Sequence, residues 1–323
     1  MKRVLGFDLG YGDVKICLMM ENGDILKIFK FPSMIGITKK NEFVNDSRIY
    51  EYKDYAYYVG ENAMHLPSES LIDITSYKNL EYYAPLFLYH TIKLLGETPD
   101  VIITGLSKAQ INNSGHFKEA LMQFTVNSED FTFKDVFVLP QGAGSKLTID
   151  KFGGNFPQEQ TEFMGNTSFV GVDIGFNTLD LFLVTDGKTS PNLFEGIEKE
   201  GVMKIATKVA IKVKELHGRN ISLQEAKEII DTGVYKLRGA SHPFKEYIDE
   251  VKMTYLKELF NLIEEKYGKI LDKSDFIFLS GGGSTIFKST DDGFVKVPKS
   301  KHEFYNSMGF SLWGVNKLNA SSN

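Results

Sequence analysis

Two copies of one short pattern constrain this 323-residue chain more than any other feature. The first is Asp8-Leu9-Gly10-Tyr11-Gly12-Asp13-Val14-Lys15, and the second is Asp173-Ile174-Gly175-Phe176-Asn177-Thr178-Leu179-Asp180. Each follows an apolar run, Val4-Leu5-Gly6-Phe7 in one case and Phe169-Val170-Gly171-Val172 in the other. Each precedes a second strand-like run, Ile16 to Met20 and Leu181 to Val184. The pattern predicts a strand, an Asp-x-Gly turn and a returning strand. Glycine lets backbone N–H groups approach an anion closely, and the neighbouring carboxylate can hold a metal through water. One such hairpin is an ordinary turn. Two of them, each opening half of the chain, predict a phosphate-bearing ligand clamped between two related domains.

Between the hairpins, apolar strands alternate with helical patterns, which predicts an α/β class. Leu80 to Leu95 reads as a buried helix stopped by Gly96, and Asp100 to Leu106 as a short buried strand. Residues 117–126 read as helix, and Phe131 to Leu139 as one strand ending at Pro140-Gln141-Gly142-Ala143-Gly144. The glycine-bearing segment from Asp150 to Gly165 reads as a linker where the domain changes. In the second half, Val202, Ile205, Ala206, Val209, Val213 and Leu216 share a helix face that stops at Gly218. Ser222 and Glu225 form a capping box for a helix over 223–231. A long helix over 244–268 leads to the strand Phe276-Ile277-Phe278-Leu279, the turn Ser280-Gly281-Gly282-Gly283, and a last helix over 306–317.

Composition narrows the class further. A net charge of −5 marks no broad nucleic-acid or membrane footprint, so direct nucleic-acid binding is not expected. No apolar run reaches the roughly 18–20 residues that cross a bilayer. The one cysteine, Cys17, excludes an intrachain disulfide, and Met1 leads almost at once into a strand. The expectation is a cytoplasmic protein without a signal peptide. The six histidines show no metal-ligand spacing.

The ordered set Asp8-x-Gly10 with Lys15, Pro140-Gln141-Gly142, Asp173-x-Gly175 with Thr178, and Gly281-Gly282-Gly283 resembles the nucleotide site of the actin, sugar-kinase and heat-shock ATPase superfamily. Gly10 to Lys15, Phe31-Pro32-Ser33, Tyr58-Val59-Gly60-Glu61 and Leu139 to Gly144 are similar to prokaryotic actin-like proteins of the ParM type and related archaeal actins. The resemblance implies a duplicated, ribonuclease H-like two-domain fold with nucleotide in the cleft. Domain I would be 1–166 completed by the C-terminal helix 303–323, and domain II would be 167–302.

Carried over position by position, the resemblance implies that Asp8 and Asp173 hold Mg²⁺ through its waters. Gly10, Tyr11 and Gly12 would offer N–H groups to the phosphates of ATP, or of GTP, and Lys15 would reach their oxygens. Gly175, Asn177 and Thr178 would grip from the other domain, Gly281, Gly282 and Gly283 would lie against the adenosine, and Gly201 would border the ribose. Gln141 sits where actins carry Gln and ParM-type proteins often carry Glu, and it would orient the attacking water. Tyr11-Gly12-Asp13 departs from the small hydroxyl residue of actins.

The family implies a slow ATPase that polymerises into nucleotide-dependent filaments, with plasmid DNA segregation through a DNA-binding adaptor as its task. A small-molecule kinase of the same superfamily and a non-hydrolysing nucleotide-binding scaffold are the alternatives.

Overall fold

The computed structural model describes residues 1–38, 46–153, 167–289 and 293–321. The first hairpin is strand β1 (Arg3–Leu9) and strand β2 (Asp13–Met20), continued by β3 (Ile25–Pro32). A small sheet follows, made of β4 (Ile35–Thr38), β5 (Ile49–Tyr52), β6 (Tyr55–Val59) and β7 (Leu71–Ile72), in the order β5-β6-β4-β7. Helix α1 (Tyr77–Leu95) is capped by Ser76 and closed by Gly96 at φ +75°. Strand β8 (Val101–Leu106), helix α2 (Ser114–Met122), the pair β9 (Gln123–Val126) and β10 (Glu129–Thr132), strand β11 (Asp135–Pro140) and helix α3 (Ala143–Phe152) complete this half.

The second half repeats the plan. Strands β12 (Phe169–Ile174), β13 (Thr178–Thr185) and β14 (Lys188–Glu198) lead to α4 (Met203–His217) and α5 (Leu223–Thr232). The hairpin β15 (Val234–Leu237) and β16 (Ala240–Pro243) precedes α6 (Lys245–Leu271), β17 (Phe276–Ser280), β18 (Val295–Lys296) and α7 (Tyr305–Ser321).

The two main sheets are five-stranded, ordered β11-β8-β1-β2-β3 and β14-β13-β12-β17-β18. In both, the first hairpin strand pairs antiparallel with its partner and parallel with a later strand. Read outward from β1 and from β12, the sheets therefore have one topology. This is the duplication that the repeated pattern predicts.

Helix α1 covers one face of the first sheet through Ala84, Leu88 and Ile92, and α7 covers the other through Met308, Phe310 and Val315. Helix α6 covers one face of the second sheet through Val251, Tyr255, Leu259 and Ile263. On its opposite face Phe169, Phe182, Phe276 and Phe278 meet Ile149 of α3 and Tyr305 of α7. Helices α3 and α7 thus lie between the two sheets, beneath the hairpin tips.

Three sequence expectations change, and one element is new. The helix expected over 117–126 ends at Met122, because Gln123–Val126 pairs antiparallel with Glu129–Thr132 and buries Phe124 against Phe131. The single strand expected from Phe131 to Leu139 is two strands in different sheets, with β11 parallel to β8. Residues 150–152 of the expected linker continue α3, and residues 154–165 lie outside the described residues. The hairpin β15–β16 had no counterpart in the sequence reading. Helix ends otherwise move by a few residues, as when α6 runs on to Leu271.

Candidate active site

The tips of the two hairpins face each other. Each turn closes with the same bond, Gly10 N–H to the Asp13 carbonyl at 3.2 Å and Gly175 N–H to the Thr178 carbonyl at 2.9 Å. A Cβ on Gly12 would lie 2.9 Å from Phe176 Cβ, so only glycine lets the tips approach this closely. Strand register sets Asp8 opposite Lys15 and Asp173 opposite Asp180. All three carboxylates are buried, at 3%, 6% and 2% exposure for Asp8, Asp173 and Asp180. They line a cavity of about 30 Å³ together with Lys15, Gln141 and Thr178. A second cavity of about 290 Å³ adjoins it, sharing Gly12, Lys15 and Phe176 and extending to Lys227, Gly282 and Gly283.

The charges here are set by burial first and neighbours second. Burial pushes the Asp8 carboxyl up, against the pull of Lys15 and of the Gln141 hydrogen bond. Burial and the charges of Asp8 and Asp180 push Asp173 up to about 7, and burial pushes Asp180 up to about 6. Lys15, 3.7 Å from Asp8, is penalised by burial, yet Asp8, Asp13 and Asp173 outweigh this and hold it above its ordinary value. Three carboxylates share one ammonium, and burial with their mutual repulsion favours a proton on the cluster in the ligand-free state. Such a site favours a further cation.

The base of the cavity is a hydrogen-bonded joint. Gln141 donates from Nε2 to Asp8 Oδ1 at 3.1 Å. The next residue, Gly142, has φ +87° and turns the chain from β11 into α3. Ser145 Oγ and Asn306 Nδ2 both donate to Asp173 Oδ2, at 3.0 and 2.5 Å.

Other contacts span the cleft from side to side. Asp180 accepts from Ser107 Oγ at 2.8 Å and from the Lys108 N–H at 3.0 Å. Gln110 Nε2 lies 2.6 Å from Tyr11 Oη and 2.7 Å from Glu198 Oε1. Burial pushes the Tyr11 phenol up to about 12, so it is neutral. From α5, Gln224 donates to the Gly12 carbonyl at 2.8 Å and Lys227 to Asp13 at 2.5 Å.

Two family models match the chain, "Actin like proteins N terminal domain" over residues 6–144 and "Archaeal actin homologue MreB-like, C-terminal" over residues 171–290. The chain belongs to the actin-like proteins. Solved structures agree on the fold. A non-polymerisable quadruple mutant of pCBH ParM is 18% identical with a TM-score of 0.78, covering 98% of this chain and 100% of that one. A ParM from Clostridium botulinum, in a 15-stranded filament, is 19% identical with a TM-score of 0.76, over 98% and 99% of the two chains. The archaeal actin homologue Ta0583 in complex with ADP is 18% identical with a TM-score of 0.72, over 98% and 100%. No curated protein matches the chain.

Within this actin-like fold the residues singled out in the sequence divide. Asp8, Gly10, Tyr11, Gly12, Lys15, Gln141, Asp173, Gly175 and Thr178 line the smaller cavity, and Gly282 and Gly283 line the larger. Gly281, Gly201 and Asn177 line neither. A Cβ on Gly281, at φ +85°, would lie 2.3 Å from Asp173 Oδ1, so this glycine lets the end of β17 press on the carboxylate. Gly201 supports the back of the second turn, with its N–H 3.3 Å from the Asn177 carbonyl. Asn177 is 6% exposed, and its side-chain oxygen has no hydrogen-bond partner among the described residues. Sequence reasoning assigned no role to Ser107, Gln110, Ser145, Asp180, Lys227 or Asn306. Asp180 carried a signal, since it is the counterpart of Lys15 in the repeat. The others meet the site only through the tertiary fold.

Among the described residues no group of three or more His, Cys, Asp or Glu could hold a metal ion. Magnesium does not require one, because it keeps most of its waters and takes one or two carboxylates plus phosphate oxygens. Asp8 and Asp173, buried on one cavity, fit that donor set.

Proposed function

We propose that this chain is an actin-like ATPase that polymerises with bound nucleotide and disassembles after hydrolysis. The observation that carries the reading is the pair of facing hairpins. They bring two buried carboxylates and a charged lysine to one small cavity that opens into a nucleoside-sized one. The likeness to ParM seen as a filament and to an archaeal actin homologue seen with ADP supports it. Residues 1–166 with 303–323 would form one domain and 167–302 the other.

Tyr11 and Gly12 supply backbone N–H groups to the phosphates, Lys15 neutralises their oxygens, and Thr178 reaches them from the second hairpin, while Gly10 and Gly175 close the two turns with their own N–H groups. Asp8 and Asp173 would hold hydrated Mg²⁺, which would neutralise phosphate charge when bound. Phosphoryl transfer to water then needs mostly positioning and fixed charge. Gln141 gives its Nε2 to Asp8, which leaves Oε1 to accept a hydrogen bond from the attacking water. A neutral amide orients water but is a poor base, so hydrolysis is slow and times filament turnover.

Closure couples to assembly because nucleotide favours one relation of the two halves, and a filament contact that needs the same relation is favoured with it. The reading places the protein in the cytoplasm, moving plasmid DNA through an adaptor that binds the DNA. No described helix is long and apolar enough to cross a membrane. ATP is the expected nucleotide, with GTP as the competitor to test.

Light scattering and electron microscopy after adding Mg·ATP, with phosphate release followed in parallel, test the reading. Filaments that form with ATP and shrink as phosphate appears are expected. ADP release stimulated by a small acceptor, without filaments, would mark a kinase instead. Nucleotide binding with neither outcome would mark a scaffold.

A further inference from the structure

Asn306, in the first turn of α7, is 5% exposed, and its side chain joins three segments that are distant in sequence. Its Oδ1 accepts from the N–H groups of Gly142 and Ser145, both at 3.1 Å, where α3 begins. Two N–H donors require an oxygen in front of them, so the orientation of the amide is fixed. Nδ2 therefore faces Asp173 and donates to Oδ2 at 2.5 Å. Ser145 Oγ holds the same oxygen at 3.0 Å, backed by Ser280 Oγ at 3.2 Å.

The helices beneath this joint touch backbone to backbone. A Cβ on Gly309 would lie 1.8 Å from the Gly144 carbonyl oxygen, and one on Gly144 would lie 2.6 Å from the Asn306 carbonyl oxygen. Only two glycines allow this crossing, and it leaves no slack between the start of α3 and Asn306.

We propose that Asn306 is a positioning residue that sets the aim of Asp173 and ties it to the connector around Gln141. One oxygen of Asp173 is held by Asn306 and Ser145, so the carboxylate cannot rotate freely toward the cavity. Any shift of Gly142 and the start of α3 moves the Asn306 amide, and through it the carboxylate. The residue that would orient water and the carboxylate that would hold hydrated Mg²⁺ therefore move together. This inference rests on the nucleotide reading of the cavity.

Asn306→Asp separates the two halves of the amide. It keeps an oxygen for the two N–H groups and replaces the donor facing Asp173 with a second carboxylate oxygen. The measurement is the dissociation constant of a fluorescent ADP analogue, with and without Mg²⁺, for the wild type, Asn306→Asp and Ser145→Ala. In the wild type Mg²⁺ should tighten binding. In Asn306→Asp that gain should shrink by about 10-fold, in line with the loss of a group that orients a metal-holding residue. Metal-free affinity should fall as well, because the added carboxylate lines the same cavity, so the readout is the ratio of the two constants. Ser145→Ala removes one donor to the same oxygen without adding charge, and it should show a smaller loss in the same direction. It decides the matter if Asn306→Asp does not fold. A wild-type Mg²⁺ gain that persists in the folded variants would overturn the role of Asn306 alone. Absence of nucleotide binding in the wild type would overturn the reading of the cavity and this inference with it.

Discussion

Replacing Asp180 by asparagine should stabilise the ligand-free protein near pH 8 and change little near pH 4. Asp180 is 2% exposed on β13, and it accepts from Ser107 Oγ at 2.8 Å, Lys108 N–H at 3.0 Å and Thr178 Oγ1 at 3.3 Å. Burial outweighs these donors and pushes its carboxyl up to about 6. An acid held near 6 instead of near 4 costs roughly 3 kcal/mol once it is ionised. Asparagine keeps an oxygen for Ser107 and Lys108 and removes the charge. Its amide N–H then faces the Thr178 hydroxyl, which must turn to accept, at a cost of about 1 kcal/mol. The net expectation is about 2 kcal/mol of added stability, a rise of a few degrees in Tm.

The pH dependence follows from the same shift. The folded value lies above the unfolded one, so the folded state binds the proton more tightly. The associated stability is present below about pH 4 and is lost as pH rises through about 6. Asp173, pushed up to about 7, adds its own share over a slightly higher window. Thermal melts of the wild type and Asp180→Asn across pH 4 to 8, without nucleotide and with chelator, measure both effects. A variant that melts below the wild type near pH 8 would refute the argument. It would mean that the three charge-assisted hydrogen bonds outweigh the cost of burying the carboxylate.

Three further outcomes are expected. Lys15→Ala should weaken nucleotide binding by about 10-fold or more in calorimetric titration, because Lys15 is the lysine that lines the smaller cavity with Asp8 and Asp173; unchanged affinity would remove Lys15 from the site. Gln141→Ala should bind nucleotide normally and release phosphate about 10-fold more slowly or worse, and an unaltered rate would exclude it from positioning water. Gly309→Ala places a methyl group 1.8 Å from the Gly144 carbonyl oxygen, so it should cost about 2 kcal/mol in chemical denaturation even though alanine favours a helix. A neutral effect would show that the α3–α7 crossing can slide.

The repeated Asp-x-Gly pattern was enough to predict two hairpins and their duplication, because a strand, a glycine turn and a returning strand are local events. Asp8, Lys15, Asp173 and Thr178 could be singled out for the same reason: each has a set offset from a turn. The pattern did not separate Gln123–Val126 from the helix before it, since that segment becomes a strand only by pairing with Glu129–Thr132. Nor did it place Asn177, to which the family resemblance gives a phosphate contact and which lines neither cavity.

What the sequence determined by itself is thus the pair of turns and the residue types placed on them, because those depend on neighbours a few residues away. What only the tertiary structure decided is how the turns are aimed. Ser107 and Gln110 from the segment that follows β8, Lys227 from α5 and Asn306 from α7 converge on them after long stretches of chain. Their partners are chosen by how two sheets and the α3–α7 crossing pack. That packing follows from the burial of many apolar side chains at once, and no local motif encodes it.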